Sequence, residues 1–246
     1  MINTPLDPRF RVELIAATPN PQTTVWVGMH QDYSEGFVVD EAEIWPDEQR
    51  AGEICVKRLL AGERGHYGPL EHAQIVLNVG WFPHSVMQQA RTHRIGCSFD
   101  VQSFRYTGDR VCRAANNELD LEDVFYLRPV GQYSDRQGKK YLYTENQRNK
   151  DLQICLQSAL RYSELVMEGY AEEHARGILP FDTRQNFVVS FSLRAALHFM
   201  DLRAKADAQL EIRQLCDMMW PHISLWCPEI AGWYEGSRLH RARLAP

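Results

Sequence analysis

None of the six cysteines (Cys55, Cys97, Cys112, Cys155, Cys216 and Cys227) forms a Cys-x-x-Cys pair with another. That removes the common dithiol and zinc-ribbon spacings. Their apolar or helical neighbours point to reduced, structural thiols, as expected of a cytoplasmic protein. Nine histidines offer no metal-ligating spacing. His66 and His72 are six apart across a proline, and no metal is expected. No apolar run approaches the roughly 18 residues of a membrane span. The segment MINTPLDPRF lacks the basic and apolar regions of a secretory signal, so none is expected. An excess of basic charge is also missing. The net charge is −5, from 27 Lys and Arg against 32 Asp and Glu. General affinity for nucleic acid comes from neutralising phosphates, so no nucleic-acid partner is expected. There is no internal repeat, low-complexity tract or linker.

What is present suits a folded core. The 246 residues are 44% apolar and 24% charged, which fits one soluble domain over residues 1–246. Thr23–Met29 and Ala73–Phe82 are β-rich and partly alternating, and predict strands. Arg11–Ala17 is a weaker strand. Pro46 opens a helix that Ala51–Ala61 continues, with Gly62 as a stop. Pro83 starts a helix from His84 to about Arg94. Residues 123–145 predict a strand, a loop and a return. Apolar residues recur at helical spacing over Asp151–Glu173 until Pro180 intervenes. Further helices are predicted over Asn186–Trp220 and His222–Tyr234. Strands early and helices late indicate an α+β fold.

The densest unusual segment is RTHRIGCSFDVQSFRY, Arg91 to Tyr106. Five arginines stand against two aspartates between Arg91 and Arg113. Guanidinium forks match phosphate oxygens, so the cluster points to an anionic ligand. Arg91 and Arg94 are three apart, on one helix face. On composition alone, a solvated basic face with ordinary salt bridges is the favoured reading.

The pattern adds to this. The segment resembles the signature of the flavin-dependent thymidylate synthases, Arg-His-Arg, seven residues, then Ser-x-Arg-Tyr. Ser103-Phe104-Arg105-Tyr106 matches the tail. His66-Tyr67-Gly68-Pro69-Leu70-Glu71-His72 resembles an upstream family block. Arg176-Gly177-Ile178-Leu179-Pro180, Ser192-Leu193-Arg194 and His198-Phe199-Met200-Asp201-Leu202-Arg203 resemble downstream ones. The blocks follow in family order over residues 66–213. Three departures stand out. Thr92 is an extra residue, leaving eight between Arg94 and Ser103. Val101 occupies the place of a frequent glutamate, so either Asp100 takes that role or the role is lost. Ser192 replaces an asparagine.

The resemblance implies reductive methylation of dUMP to dTMP. The carbon would come from 5,10-methylenetetrahydrofolate and the hydride from reduced FAD, with NADPH regenerating the flavin. It implies a mainly antiparallel sheet flanked by helices and a homotetramer whose active sites are shared between subunits. Arg203 would be catalytic, stabilising negative charge on the uracil. Gln88, Arg91, Gln102, Ser103, Phe104, Arg105, Arg176 and Arg203 would bind dUMP. Gly68, Arg91, His93, Arg94, Asp100, Ser192, Arg194 and His198 would bind FAD. Arg194 and His198 are four apart on one helix face. Arg203 is nine from Arg194, about half a turn round. The alternative is an FAD-dependent oxidoreductase on the same fold with another substrate.

Overall fold

The structure is a computed structural model that describes residues 6–62, 65–135 and 137–241. In chain order the elements are β1 (Arg11–Ala17), α1 (Pro21–Gln31), α2 (Glu48–Cys55), β2 (Gln74–Pro83) and α3 (His84–Ala90). Next come β3 (Cys97–Val101), α4 (Phe104–Thr107), α5 (Asp109–Ala115), β4 (Gly131–Ser134), β5 (Lys140–Tyr143) and α6 (Glu145–Met167). The last are α7 (Glu172–Ala175), β6 (Arg184–Ser192), α8 (Leu193–Arg203), α9 (Leu210–Trp226) and α10 (Pro228–Ser237). One four-stranded sheet has the order β1-β2-β6-β3, and β4 pairs with β5 in a second. Gln102 N–H reaches the Asn186 carbonyl, and Ser192 N–H reaches the Gly96 carbonyl. β3 and β6 therefore run antiparallel. β4 and β5 are antiparallel too, with Gln132 opposite Leu142. The fold is α+β, as expected.

The chain forms two compact units. The first comprises Met1–Arg11, Val79–Thr92 and Asp100–Phe187. Its core gathers α5 and α6 residues such as Val111, Ala115, Ala159 and Tyr162 with Val124 and Phe125. Thr144 caps α6 with a capping box to Gln147, so the helix starts earlier than its apolar period suggested. A second anchor is Phe10, whose ring stacks 3.9 Å from that of Phe82.

The second unit comprises Val12–Asn78, His93–Phe99 and Val188–Pro246. Here α1, α2 and α10 meet around fully buried Gln22. Its amide donates to Glu229 at 2.5 Å and accepts from the backbone N–H of Glu229 and Ile230 at 3.1 Å. A side chain on Gly52 would strike it, so only glycine fits there.

Four expectations need correcting. Thr23–Met29 is helical, inside α1. Pro21 starts that helix, the Glu48 carboxylate takes the N–H groups of Gln22 and Thr23, and burial falls on Val25, Trp26 and Met29. That helical spacing outweighs the β-rich composition. Asn186–Ser192 is strand, because Phe187, Val189 and Phe191 are buried in strict alternation. The last helices divide at Cys227, whose φ of −136° breaks the run, and not before His222. α9 passes through Pro221. α3 is also shorter than predicted, ending at Ala90. Among the described residues, no helix is long and apolar enough to cross a membrane.

Candidate active site

The first unit holds a cavity of about 500 Å³. α3 contributes His84 and, just past its end, Arg91. The end of β3 and the start of α4 bring Val101, Gln102, Ser103 and Phe104. The segment after α7 brings Arg176 and Phe181. Arg91 and Arg176 are both exposed. Among the described residues neither pairs with a carboxylate. Two such guanidiniums on one cavity are suited to hold an anion. Ser103 Oγ accepts the Arg105 N–H at 3.4 Å as the cap of α4, which leaves its hydrogen to donate.

Five residues expected to bind nucleotide therefore line one cavity: Arg91, Gln102, Ser103, Phe104 and Arg176. Gln88, Arg105 and Arg203 do not line it. Arg105 is exposed with its guanidinium 5.6 Å from the Tyr106 ring centroid. Gln88 Nε2 lies 2.8 Å from His84 Nε2. An amide nitrogen only donates, so His84 accepts there and carries its proton on Nδ1. Burial pushes the His84 pKa down, Arg91 adds to this, and Asp182 opposes it. The ring meets Phe181 edge-on at 5.3 Å. His84 was missed in the sequence. The signal was its spacing, four before Gln88 and seven before Arg91, which places all three on one helix face.

Asp100 also lies in this unit and is exposed. Successive strand residues point to opposite faces. Val101 lines the cavity and Asp100 does not.

The second unit gathers another set around α8. Ser192 is fully buried and caps the helix, accepting the Ala195 N–H at 3.2 Å. Its hydroxyl donates to Glu71 at 2.6 Å, and Arg194 reaches the other Glu71 oxygen at 3.3 Å. Gly96 crosses closely here with φ 68°. A Cβ on it would come within 2.5 Å of Ser192 Oγ and 2.9 Å of Glu71 Oε2. At the far end of α8, Arg203 Nε donates to His93 Nε2 at 3.1 Å. The His93 ring also meets His198 at 5.5 Å and Phe199 at 4.9 Å. Burial, then Arg203, then His198 push the His93 pKa down to about 4. The ring is neutral and is an acceptor toward Arg203. Burial lowers the Arg203 pKa from its usual value.

Arg194 and His198 share a small recess of about 40 Å³ with Tyr67, Leu70 and Trp233. His198 Nδ1 is buried there and has no partner among the described residues. Buried polar atoms are normally satisfied, so this one invites a ligand atom. A cation and an orphaned ring nitrogen beside aromatic walls suit one polar edge of the flavin expected from the sequence, and about 40 Å³ holds no more than that. Gly68 and Arg94, also expected at the flavin, are exposed.

Comparison with known proteins agrees with this chemistry. The family described as thymidylate synthase complementing protein matches residues 13–229. A flavin-dependent thymidylate synthase of Halobacterium salinarum is 35% identical, covering 96% of this chain and all of the relative. One from Haloarcula marismortui is 33% identical, covering 96% of this chain and 99% of the relative. Among solved structures, a UMP/dUMP methylase from Streptomyces cacaoi bound with 5-Br dUMP aligns with a TM-score of 0.73. That alignment covers 95% of this chain and 97% of the other. At 19% identity the likeness is one of fold.

Proposed function

The chain belongs to the flavin-dependent thymidylate synthase family, and from that premise we propose that it methylates dUMP at C5 to give dTMP. The observation that carries this reading is the convergence of Arg91, Ser103 and Arg176 on one cavity of about 500 Å³. A nucleoside monophosphate brings a dianion and a polar ring. Two guanidiniums that pair with no carboxylate among the described residues, and a hydroxyl, complement the phosphate. Phe104 and Phe181 offer apolar surface to the base and sugar.

Arg203, which does not line that cavity, is the residue that the family resemblance assigns to charge stabilisation on the uracil. C5 becomes nucleophilic as negative charge develops over the ring, and a fixed guanidinium stabilises that charge. His93 holds the Arg203 Nε from behind, so the plane of the fork is set before substrate arrives. Arg194, His198, His93, Arg94 and Gly68 would hold the flavin, with the Ser192–Glu71 pair fixing Arg194. When bound, the flavin supplies the hydride chemistry. 5,10-Methylenetetrahydrofolate is proposed as carbon donor and NADPH as reductant. A homotetramer with shared sites gives a reason for Gly68, Arg94 and Arg105 to lie exposed on one chain. The test is dTMP formation from dUMP by FAD-loaded enzyme supplied with both co-substrates. A flavin-loaded protein that binds dUMP yet makes no dTMP contradicts the reading.

A further inference from the structure

β2 and β6 do not stay in step. At one end Leu193 N–H bonds the Ala73 carbonyl at 2.8 Å; past the other end His84 N–H bonds the Thr183 carbonyl at 2.9 Å. Between those bonds β2 advances eleven positions and β6 ten. The extra residue is a bulge. It falls at Gly80–Trp81, where the alternation of burial along β2 breaks and Trp81 takes φ 70°. Left-handed backbone costs a residue with a bulky side chain on the order of 1–2 kcal/mol, so it persists only where neighbours enforce it.

Side chains of β6 enforce it. Trp81 N–H donates to Asn186 Oδ1 at 2.9 Å. The Trp81 carbonyl accepts from Arg184 Nη1 at 2.9 Å. Arg184 is itself held on several sides. It is fully buried, pairs with Asp7 at 2.6 Å, donates to the Glu122 carbonyl, and lies 5.3 Å from the Tyr126 ring centroid. A buried cation with every arm engaged is a rigid post, because moving it would strand charge. Asn186 also accepts the Gln102 N–H on its carbonyl at 3.0 Å, which links the bulge to a cavity wall.

Directly after the bulge, Pro83 ends β2 and α3 begins. Ser85 N–H is tied to Asp182 Oδ1 at 3.1 Å. α3 then carries His84 and Arg91 to the cavity. We propose that Asn186 and Arg184 are positioning residues: by holding Trp81 in left-handed backbone they set the direction of α3 and so the placement of His84 and Arg91. Neither side chain lines the cavity. The inference rests on the nucleotide reading of that cavity.

Steady-state kinetics and dUMP binding on the FAD-loaded enzyme test it. Asn186→Ala should raise the KM and Kd for dUMP about tenfold, with kcat within about twofold and FAD content unchanged, since a misplaced binding group costs affinity steeply. Adding Trp81→Gly should restore KM to within about threefold, because glycine adopts positive φ without the anchor. The same double variant should melt at a lower temperature than Asn186→Ala, as glycine weakens a strand. Recovery of KM against falling stability is what a merely structural role would not give. Asn186→Asp keeps the Oδ1 acceptor and should bind dUMP like wild type. Wild-type affinity in Asn186→Ala, a tenfold loss in Asn186→Asp, or a double variant no better than the single one overturns the positioning role. Wild-type enzyme that fails to bind dUMP overturns the cavity reading together with it.

Discussion

Arg203 Nε donates to His93 Nε2 across 3.1 Å, joining the end of α8 to the segment that precedes β3. A neutral imidazole is the only form of His93 that can accept this bond. The burial that keeps His93 neutral and the guanidinium that needs an acceptor therefore support each other.

The first prediction concerns Arg203 itself. Arg203→Ala should lower dTMP formation by roughly 10²-fold or more, the usual effect of losing a preorganised charge-stabilising donor. The protein should stay folded and yellow. Arg203→Lys keeps the charge but not the planar fork, and should recover only part of the rate. NADPH oxidation by the bound flavin should largely survive in both. Near wild-type turnover in Arg203→Ala would remove Arg203 from the chemistry.

The pH dependence of stability follows from His93. Its folded pKa, about 4, lies below the ordinary 6.5. The unfolded chain thus binds the extra proton first. Stability from this group is fully present above 6.5 and falls as the pH drops from 6.5 towards 4. His93→Gln keeps an acceptor for Arg203 without titrating, and should flatten that part of the acid limb. Thermal melts between pH 4 and 7 check this; equal slopes in both proteins would contradict it.

Phosphate recognition separates dUMP from deoxyuridine. Arg176→Ala should weaken dUMP binding by roughly 10- to 100-fold, the worth of a charge-assisted bond. Deoxyuridine binding should change little. Equal losses for both ligands would show that Arg176 does not hold the phosphate.

Gly96 tests the Ser192–Glu71–Arg194 arrangement. Its φ of 68° and the 2.5 Å approach to Ser192 leave no room for a methyl group. Gly96→Ala should destabilise the protein by about 1–3 kcal/mol and reduce its FAD content. Unchanged melting temperature and unchanged flavin absorbance would show that the crossing has slack.

Much of this was legible in the sequence, because local signals agreed with tertiary demands. The alternation in β2 as far as Val79 and the single-face spacing of Arg194 and His198 both survive in the structure. The failures have specific causes. Thr23–Met29 is β-rich in composition but helical in its buried spacing, and only the tertiary cap from Glu48 reveals the helix start. Asn186–Ser192 adjoins α8 without a glycine or proline, so the change of period from 2 to 3.6 at Ser192 was read through. The cavity residues Arg91, Ser103 and Arg176 were legible as motif positions. His84 belongs to no motif and became visible only once α3 placed it beside Gln88. The bulge at Trp81 has no sequence signal beyond Gly80.

The central claim is tested most directly by tritium release from 5-tritiated dUMP with FAD, 5,10-methylenetetrahydrofolate and NADPH. The account predicts release that matches dTMP formation, requires all three additions, and falls sharply in Arg176→Ala and Arg203→Ala. NADPH consumption without tritium release, in enzyme that has bound both flavin and dUMP, would contradict it.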